Sequence, residues 1–391
     1  METPVQLVCP LCRGPLHASP HAYSCDPCAR LYPIVCGIPD LRVLPDRWIS
    51  IEDDRVKGRR LDQAAPGRTF AQMLDLYWSM TPGVPPELIA NFNTYILKAA
   101  STARSALDEL GPFSGPLLDL GCATGGLLIA AARRLPALHE RDTSGSTSSL
   151  PVAAAPRPSA LHEPGASSPP LPDPGCSTGG LPVSADRRRP SALHEPGCAT
   201  GGLPVGAAPP SSAVGVDIAF RWLVIAKVRL REAGVEAPLI CANAEHLPFP
   251  DDAFGSLTAV DLVEHLLDPA PAFRECRRVA RPGGACYFSS NNRYSLLPEP
   301  HTGVWGLGWL PRPLQSGFAR LAAGRDYRNI SLRSAPELKR FARDAGFASW
   351  RLSPAPAPPG APGIYNRMRH SPGFSRLLSL AGPRLQILCR K

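Results

Sequence analysis

Three stretches of this chain carry residues able to close on a nucleotide-like ligand: Asp119–Gly126 (DLGCATGG), Gly175–Gly180 (GCSTGG) and Gly197–Gly202 (GCATGG). Glycine lets a backbone approach a ligand closely, and a helix that begins behind such a loop offers free N–H groups. That chemistry needs a strand before the loop and a helix after it. Only the first copy has both. Gly115-Pro-Leu-Leu-Asp-Leu120 is a short apolar run suited to a buried parallel strand, and Leu127–Leu135 (LLIAAARRL) is rich in helix formers without proline. LPDP precedes Gly175 and LHEP precedes Gly197, and each later copy is followed by LPV. Proline cannot donate to a central strand ladder. The later copies therefore read as sequence echoes, not sites.

The echoes belong to a larger repeat. ALHE begins at Ala137, Ala160 and Ala192, and PSALHEPG begins at Pro158 and Pro190. The units have no sustained apolar face, and proline interrupts each, so 137–212 reads as a disordered, proline-rich, low-complexity insertion and not a solenoid. Asp217 lies 98 residues beyond Asp119; setting aside the 76 residues of 137–212 leaves 22. Ala213-Val-Gly-Val-Asp217 is then a second strand ending in an acid, at the spacing that binds ribose hydroxyls in dinucleotide-type folds. An insertion between helix and strand is tolerated because closure entropy grows only logarithmically with length.

A second constellation stands at the N-terminus. Cys9-x-x-Cys12 and Cys25-x-x-Cys28 are separated by twelve residues. Two such knuckles assemble four thiolates into the tetrahedron of a structural zinc, with no position left open for catalysis.

The chain has 391 residues, 44% of them hydrophobic, with 47 prolines and 34 glycines. That length exceeds one domain, and the glycine and proline content is too high for regular elements throughout. A net charge of +9 is compatible with a solvated basic face, with RNA or with peripheral contact at an anionic membrane. There is no apolar run of 18 residues, and METPVQLVCPLC lacks the flank and core of a secretory signal. The twelve cysteines fit a reducing, cytoplasmic setting.

An acid two residues before the first glycine suits a ligand with a positive group, and Ala123 stands where a dinucleotide fingerprint wants glycine. DLGCATGG, VGVD, CANAEHLPFPDDAFG, DLVEHLLDP and RRVARPGGACYF, in that order, resemble the class I S-adenosylmethionine (SAM)-dependent methyltransferases, in the group that includes quinone-biosynthesis enzymes. The first 45 residues, with LYPIVCGIPDL after the cysteines, are similar to the zinc ribbon ahead of some rRNA methyltransferases. The resemblance implies an α/β, Rossmann-like seven-stranded sheet with helices on both faces. It gives a zinc ribbon over 1–45, a helical lead-in over 46–112 and a methyltransferase domain over 113–136 and 213–391. The last two strands fall on Phe347–Leu352 and Leu385–Cys389.

Carried over by position, the resemblance implies that Asp119 helps hold the methionine ammonium of SAM, and that Gly121, Ala123 and Gly125 admit the cofactor. Asp217 takes the ribose, Asn243 and Ala244 flank the adenine, and Asp261 lies near the methyl group. Cys122 is either a reactive thiol or a small core side chain. His265 either relays a proton or orders the loop before a helix that starts at Asp268-Pro269. Residues 289–311 are either a lid, with Tyr294, His301, Trp305 and Trp309 toward an acceptor, or a packed crossover. Phe70, Leu74, Tyr77 and Trp78 either close the site or pack the core, and the basic tail 353–384 touches either a membrane or the lid. The activity implied is methyl transfer to a small molecule; transfer to rRNA or tRNA, and a SAM-fold module without catalysis, are the alternatives. Oligomeric state is open.

Overall fold

The computed structural model describes residues 6–112, 115–143, 213–356 and 363–391. The chain divides into two units, Met1–Glu140 with Gly202–Lys391, and Arg141–Gly201; apart from the end of one helix, everything below concerns the first. Of the insertion expected over 137–212, residues 137–143 instead continue a helix that runs to Thr143, and the remainder, with the second and third glycine copies, lies outside the described residues.

Four short antiparallel strands come first: β1 (His17–Ala18), β2 (Ala22–Cys25), β3 (Arg30–Val35) and β4 (Ile38–Pro39). Three helices follow: α1 (Ile51–Ala64), α2 (Phe70–Ser79) and α3 (Pro86–Leu110). Ser50 caps α1 by accepting from the Asp53 N–H, and Thr69 with Gln72 closes a capping box on α2. Then come β5 (Leu117–Leu120), α4 (Gly126–Thr143), β6 (Ala213–Asp217), α5 (Phe220–Glu232), β7 (Leu239–Cys241), β8 (Phe254–Ala259), α6 (Pro269–Val279) and β9 (Ala280–Asn291). The chain ends with α7 (Arg312–Ala323), α8 (Ala335–Asp344), β10 (Ser349–Pro354), α9 (Gly363–Met368), α10 (Pro372–Ala381) and β11 (Arg384–Arg390).

The main sheet has seven strands in the order β10-β11-β9-β8-β5-β6-β7. From β9 through β7 all pairs are parallel, while β11 runs antiparallel to β9 and to β10. This is the doubly wound α/β sheet expected from the sequence, and the last two strands fall where they were placed. The chain builds outward from β5 to β6 and β7, then crosses to β8 on the other side. The loop after β5 therefore opens at the point where strand order reverses, the usual crevice for a ligand in such sheets.

Each strand is there because both faces of the sheet are covered. β5, β7 and β8 are buried at every residue, as parallel strands between helices must be. One face packs under α1, α2, α3, α4 and α5, around Leu61, Met73, Leu107, Phe220 and Leu223. The other packs under α6 and α8, around Phe249, Phe254, Phe273 and Phe341. The N-terminal strands share that second core through Tyr23, Tyr32 and Leu41. Val8 donates to the Pro248 carbonyl at 3.0 Å, and Arg13 pairs with Glu275 at 3.1 Å. The small domain is thus fastened to the large one by apolar contact and by backbone.

Candidate active site and zinc site

The loop after β5 is held by the neighbouring strand. Gly121 and Cys122 donate to the Val216 carbonyl at 2.8 and 3.0 Å, and the Ala123 N–H donates to the Asp217 carboxylate at 2.8 Å. Gly121, Ala123 and Gly125 all lie at positive φ, +73°, +43° and +74°. A Cβ on Gly121 would meet Leu262 at 3.0 Å. Ala123 bears the left-handed conformation at a cost of about 1 kcal/mol, which its bond to Asp217 offsets. The first copy thus supplies strand, turn and helix together, with Asp217 both at the tip of β6 and locking the turn. Gly215, inside β6, was not singled out from sequence. A Cβ there would lie 2.8 Å from Leu128 and 2.9 Å from the Cys122 sulfur, so its absence lets α4 seat on the sheet. Cys122 is buried, and burial pushes its thiol well above the usual range. It is a core side chain and not a thiolate.

Three carboxylates stand at the carboxyl ends of β5, β6 and β8, and they differ. Asp119 is 2% exposed, and among the described residues its hydrogen-bond partner is the Thr258 hydroxyl at 3.0 Å. Burial, with added repulsion from Asp217, pushes it up to about 7. Asp217 accepts from the Ala123 and Ala219 N–H groups, and burial still pushes it up to about 6. Neither has a cation in contact among the described residues; Arg221, which pairs with Asp54 and Asp46, reaches Asp217 only through its field. Asp261 has one: Arg384 on β11 grips it at 2.5 and 2.7 Å, and the hydroxyls of Ser289 and Tyr95 donate at 3.0 and 2.9 Å. Despite its burial, the Arg384 guanidinium holds Asp261 below the usual carboxylate range. Asp261 thereby ties β8, β9, β11 and α3 together. Neither Arg384 nor Tyr95 was foreseen; both are far from the motif in sequence, and nothing in their spacing marks them.

Asn243, implied at the adenine, has its side chain occupied. Its Oδ1 accepts from Val43 and Leu44 at 2.9 and 3.1 Å, and its Nδ2 donates to the Leu44 carbonyl at 3.2 Å. Ala244 is buried beside it. The strap 40–46 runs from the cysteine domain along the end of β7. Leu41 donates to the Cys241 carbonyl, and Arg42 reaches Asp40, Asp54 and the carbonyl of Ile218. Asp54 on α1 accepts from the Phe220 and Arg221 N–H groups, capping α5 from outside. This buried network was also missed. Acids and arginines alternate through 40–55, but alternation alone does not pair them.

On the acceptor side, His265 closes a single 3-10 turn, Val263–His265, and Asp268 caps α6 as expected. The His265 and His301 rings stand perpendicular, 5.4 Å apart between centroids. Tyr294 packs against Trp309 at 5.2 Å. Trp305 is 67% exposed, its indole donating to the Leu296 carbonyl. The structure therefore brings His301 to His265 and leaves Trp305 on the surface. Tyr77 and Trp78 join Phe92 and Trp222 in an aromatic cluster with ring separations of 4.2 to 6.5 Å; Phe70, Leu74 and Tyr77 are core.

Cys9, Cys12, Cys25 and Cys28 converge, with all four sulfurs within 4.8 Å of one another. The Cys9–Cys28 and Cys12–Cys25 separations are 3.8 and 3.5 Å. Zinc at about 2.3 Å from each sulfur sets the edges of its tetrahedron near 3.8 Å, so the four fit the ion. Among the described residues, no helix is long and apolar enough to cross a membrane.

Residues 194–288 match a family model described as a methyltransferase domain. The match begins at His194, three residues before the third glycine copy, whose Gly197 lies 20 residues before Asp217, so sequence spacing alone favours the copy that LHEP precedes. A 2-methoxy-6-polyprenyl-1,4-benzoquinol methylase of Leishmania donovani is 36% identical over 124 residues, 30% of this chain and 41% of that protein. A ubiquinone biosynthesis O-methyltransferase of Chromobacterium violaceum is 33% identical over 146 residues, 37% of this chain and 58% of that one. The chain spans about half the length of the curated relatives it matches. Among solved structures, a SAM-dependent methyltransferase of Thermotoga maritima aligns at 16% identity and a TM-score of 0.38, covering 78% of this chain and 97% of that one.

Proposed function

We infer that this chain, which carries a class I SAM-dependent methyltransferase domain, moves a methyl group from SAM to a hydroxyl of a small-molecule acceptor. The observation that carries this reading is the pair of carboxylates, buried Asp119 and part-buried Asp217, at the switch point of the sheet with no ion-pair partner among the described residues. A ligand bearing an ammonium and a sulfonium, and no phosphate, supplies the missing charge. Asp119 would favour the ammonium, Gly121, Ala123 and Gly125 would let the backbone close on the ligand, and Asp217 would accept from the ribose. Asn243 would act through the strap it holds, with the backbone of Ala244 beside the adenine. Asp261 would shape the wall near the transferred group, its charge being spent on Arg384.

SAM supplies a methyl on a cationic sulfur, open to in-line displacement. What the protein adds is chiefly alignment and exclusion of water. The four cysteines would hold a structural zinc that keeps the small domain and the strap folded. A hydroxyl acceptor accords with the relatives named for O-methylation, and the test is direct. The full chain is incubated with methyl-labelled SAM and either a panel of hydroxylated aromatics or total RNA. Label in solvent-extractable product is expected; label confined to RNA would overturn the acceptor class.

A further inference from the structure

We propose that Glu299 and His301 form the base that removes the acceptor's proton, an inference that rests on the hydroxyl-acceptor reading above. Glu299 is 4% exposed and rigidly held: one oxygen accepts from the N–H groups of His301 and Thr302 and from the Thr302 hydroxyl, at 2.7 to 2.9 Å. Its other oxygen meets His301 Nδ1 at 2.5 Å. A carboxylate anchored in this way fixes the imidazole's orientation and tautomer, leaving Nε2 as the acceptor. The ring is not buried in apolar packing. It stands against His265, in the field of Glu264 and Asp261 at the ends of β8 and β9, with Arg47 beyond on the His265 carbonyl and Arg325 on that of Thr302.

A second observation points to a polar ligand at the same place. Glu264 Oε2 and the Tyr327 hydroxyl are buried without a hydrogen-bond partner, two of four such side-chain atoms among the described residues, the others being the Nε atoms of Arg333 and Arg369. The fields of Glu299 and Glu264 both bear on Tyr327, opposed by those of Arg312 and Arg293. A hydroxylated acceptor entering here would satisfy the Glu264 oxygen and the Tyr327 hydroxyl. In the step itself the acceptor O–H proton passes to His301 Nε2. The oxygen's electron pair forms the new O–CH3 bond, the C–S pair returns to sulfur, and the imidazolium later releases its proton to water. Atoms and charge balance without a further reactant.

The test uses the full chain, with H301Q and E299Q, on two phenols: 4-methylphenol, un-ionised at pH 8, and 4-nitrophenol, mostly ionised there. H301Q is expected to lose about 100-fold or more in kcat on 4-methylphenol. It should keep most of its rate on 4-nitrophenol and bind S-adenosylhomocysteine within twofold of the parent. E299Q, a positioning variant, should move the acid limb of the pH–rate profile to lower pH, because Glu299 holds the His301 imidazole above its ordinary range. Equal losses on both phenols, or none on either, would overturn the base. A parent chain that methylates neither phenol sinks the hydroxyl-acceptor reading. The pair is then decided by NMR titration: a His301 midpoint that falls in E299Q supports it, and one that does not change refutes it.

Discussion

Asp119 and Asp261 stand at the ends of neighbouring strands, both buried, and they have opposite chemistry. Asp119 has a hydroxyl for company and is driven up to about 7, whereas Asp261 is gripped by Arg384 and held low. The difference teaches how to tell a ligand site from a structural joint when both carry a carboxylate in a motif. A carboxylate whose charge is already balanced belongs to the framework; one whose charge is unbalanced has been left for a ligand. The cofactor site proposed above is built around the second kind, and Asp261 is a joint of the first.

The sharpest way to break the comparison is Arg384→Leu. It leaves Asp261 buried and unpaired, and the expected loss is about 3–5 kcal/mol of stability by urea unfolding. A loss near zero would mean that the joint is ornamental. Asp119→Asn is its counterpart. Removing a carboxylate that burial disfavours should leave unfolding stability at pH 8 unchanged or higher, while S-adenosylhomocysteine affinity falls about 30-fold, or ~2 kcal/mol. If that variant unfolds readily and binds normally, the two residues have been given the wrong roles.

The cofactor half was legible because its signals are local. Gly121, Ala123 and Gly125 follow an apolar strand and precede a helix, and Asp119 and Asp217 stand at the carboxyl ends of β5 and β6. Those are properties of adjacent residues, and the backbone geometry follows from them. The sheet was legible for the same reason, as was the helix start at Asp268-Pro269. The acceptor half was not, because its groups converge from afar. Arg384 reaches Asp261 across 123 positions and Tyr95 reaches it across 166. Asn243 lies just beyond β7, and its side-chain partners in the strap, Leu44 and Val43, are 199 and 200 residues away, which no local pattern marks. Glu299 carried no motif; its effect appears only once the loop folds His301 onto it.

Asn243→Ala sharpens the same contrast from the N-terminal side. It removes three hydrogen bonds to the strap and should cost about 1–3 kcal/mol, with S-adenosylhomocysteine affinity lowered only through strap loosening. A large affinity loss at unchanged stability would return the side chain to the adenine.

The pH dependence is the gentlest test. Asp119 at about 7 lies above its free-chain value near 3.9. The folded state therefore holds the proton more tightly, and the stability this contributes is full below about 3.9 and lost as pH rises through about 7. A cationic ligand favours the charged form, so binding below pH 7 must release a proton. Affinity for S-adenosylhomocysteine should rise by up to tenfold per pH unit between 5.5 and 7, then level off, with proton release visible by calorimetry in buffers of different ionisation enthalpy. A flat profile would show that Asp119 does not face the ammonium.

Which glycine copy makes the site bears on all of this. Calorimetric titration of S-adenosylhomocysteine into the full chain, beside Gly121→Asp and Gly197→Asp, tests it most directly. The site described here predicts binding by the parent and by Gly197→Asp, and none by Gly121→Asp, where φ is +73° and Leu262 fills the space. Binding lost in Gly197→Asp and kept in Gly121→Asp would move the cofactor to the third copy and contradict the account.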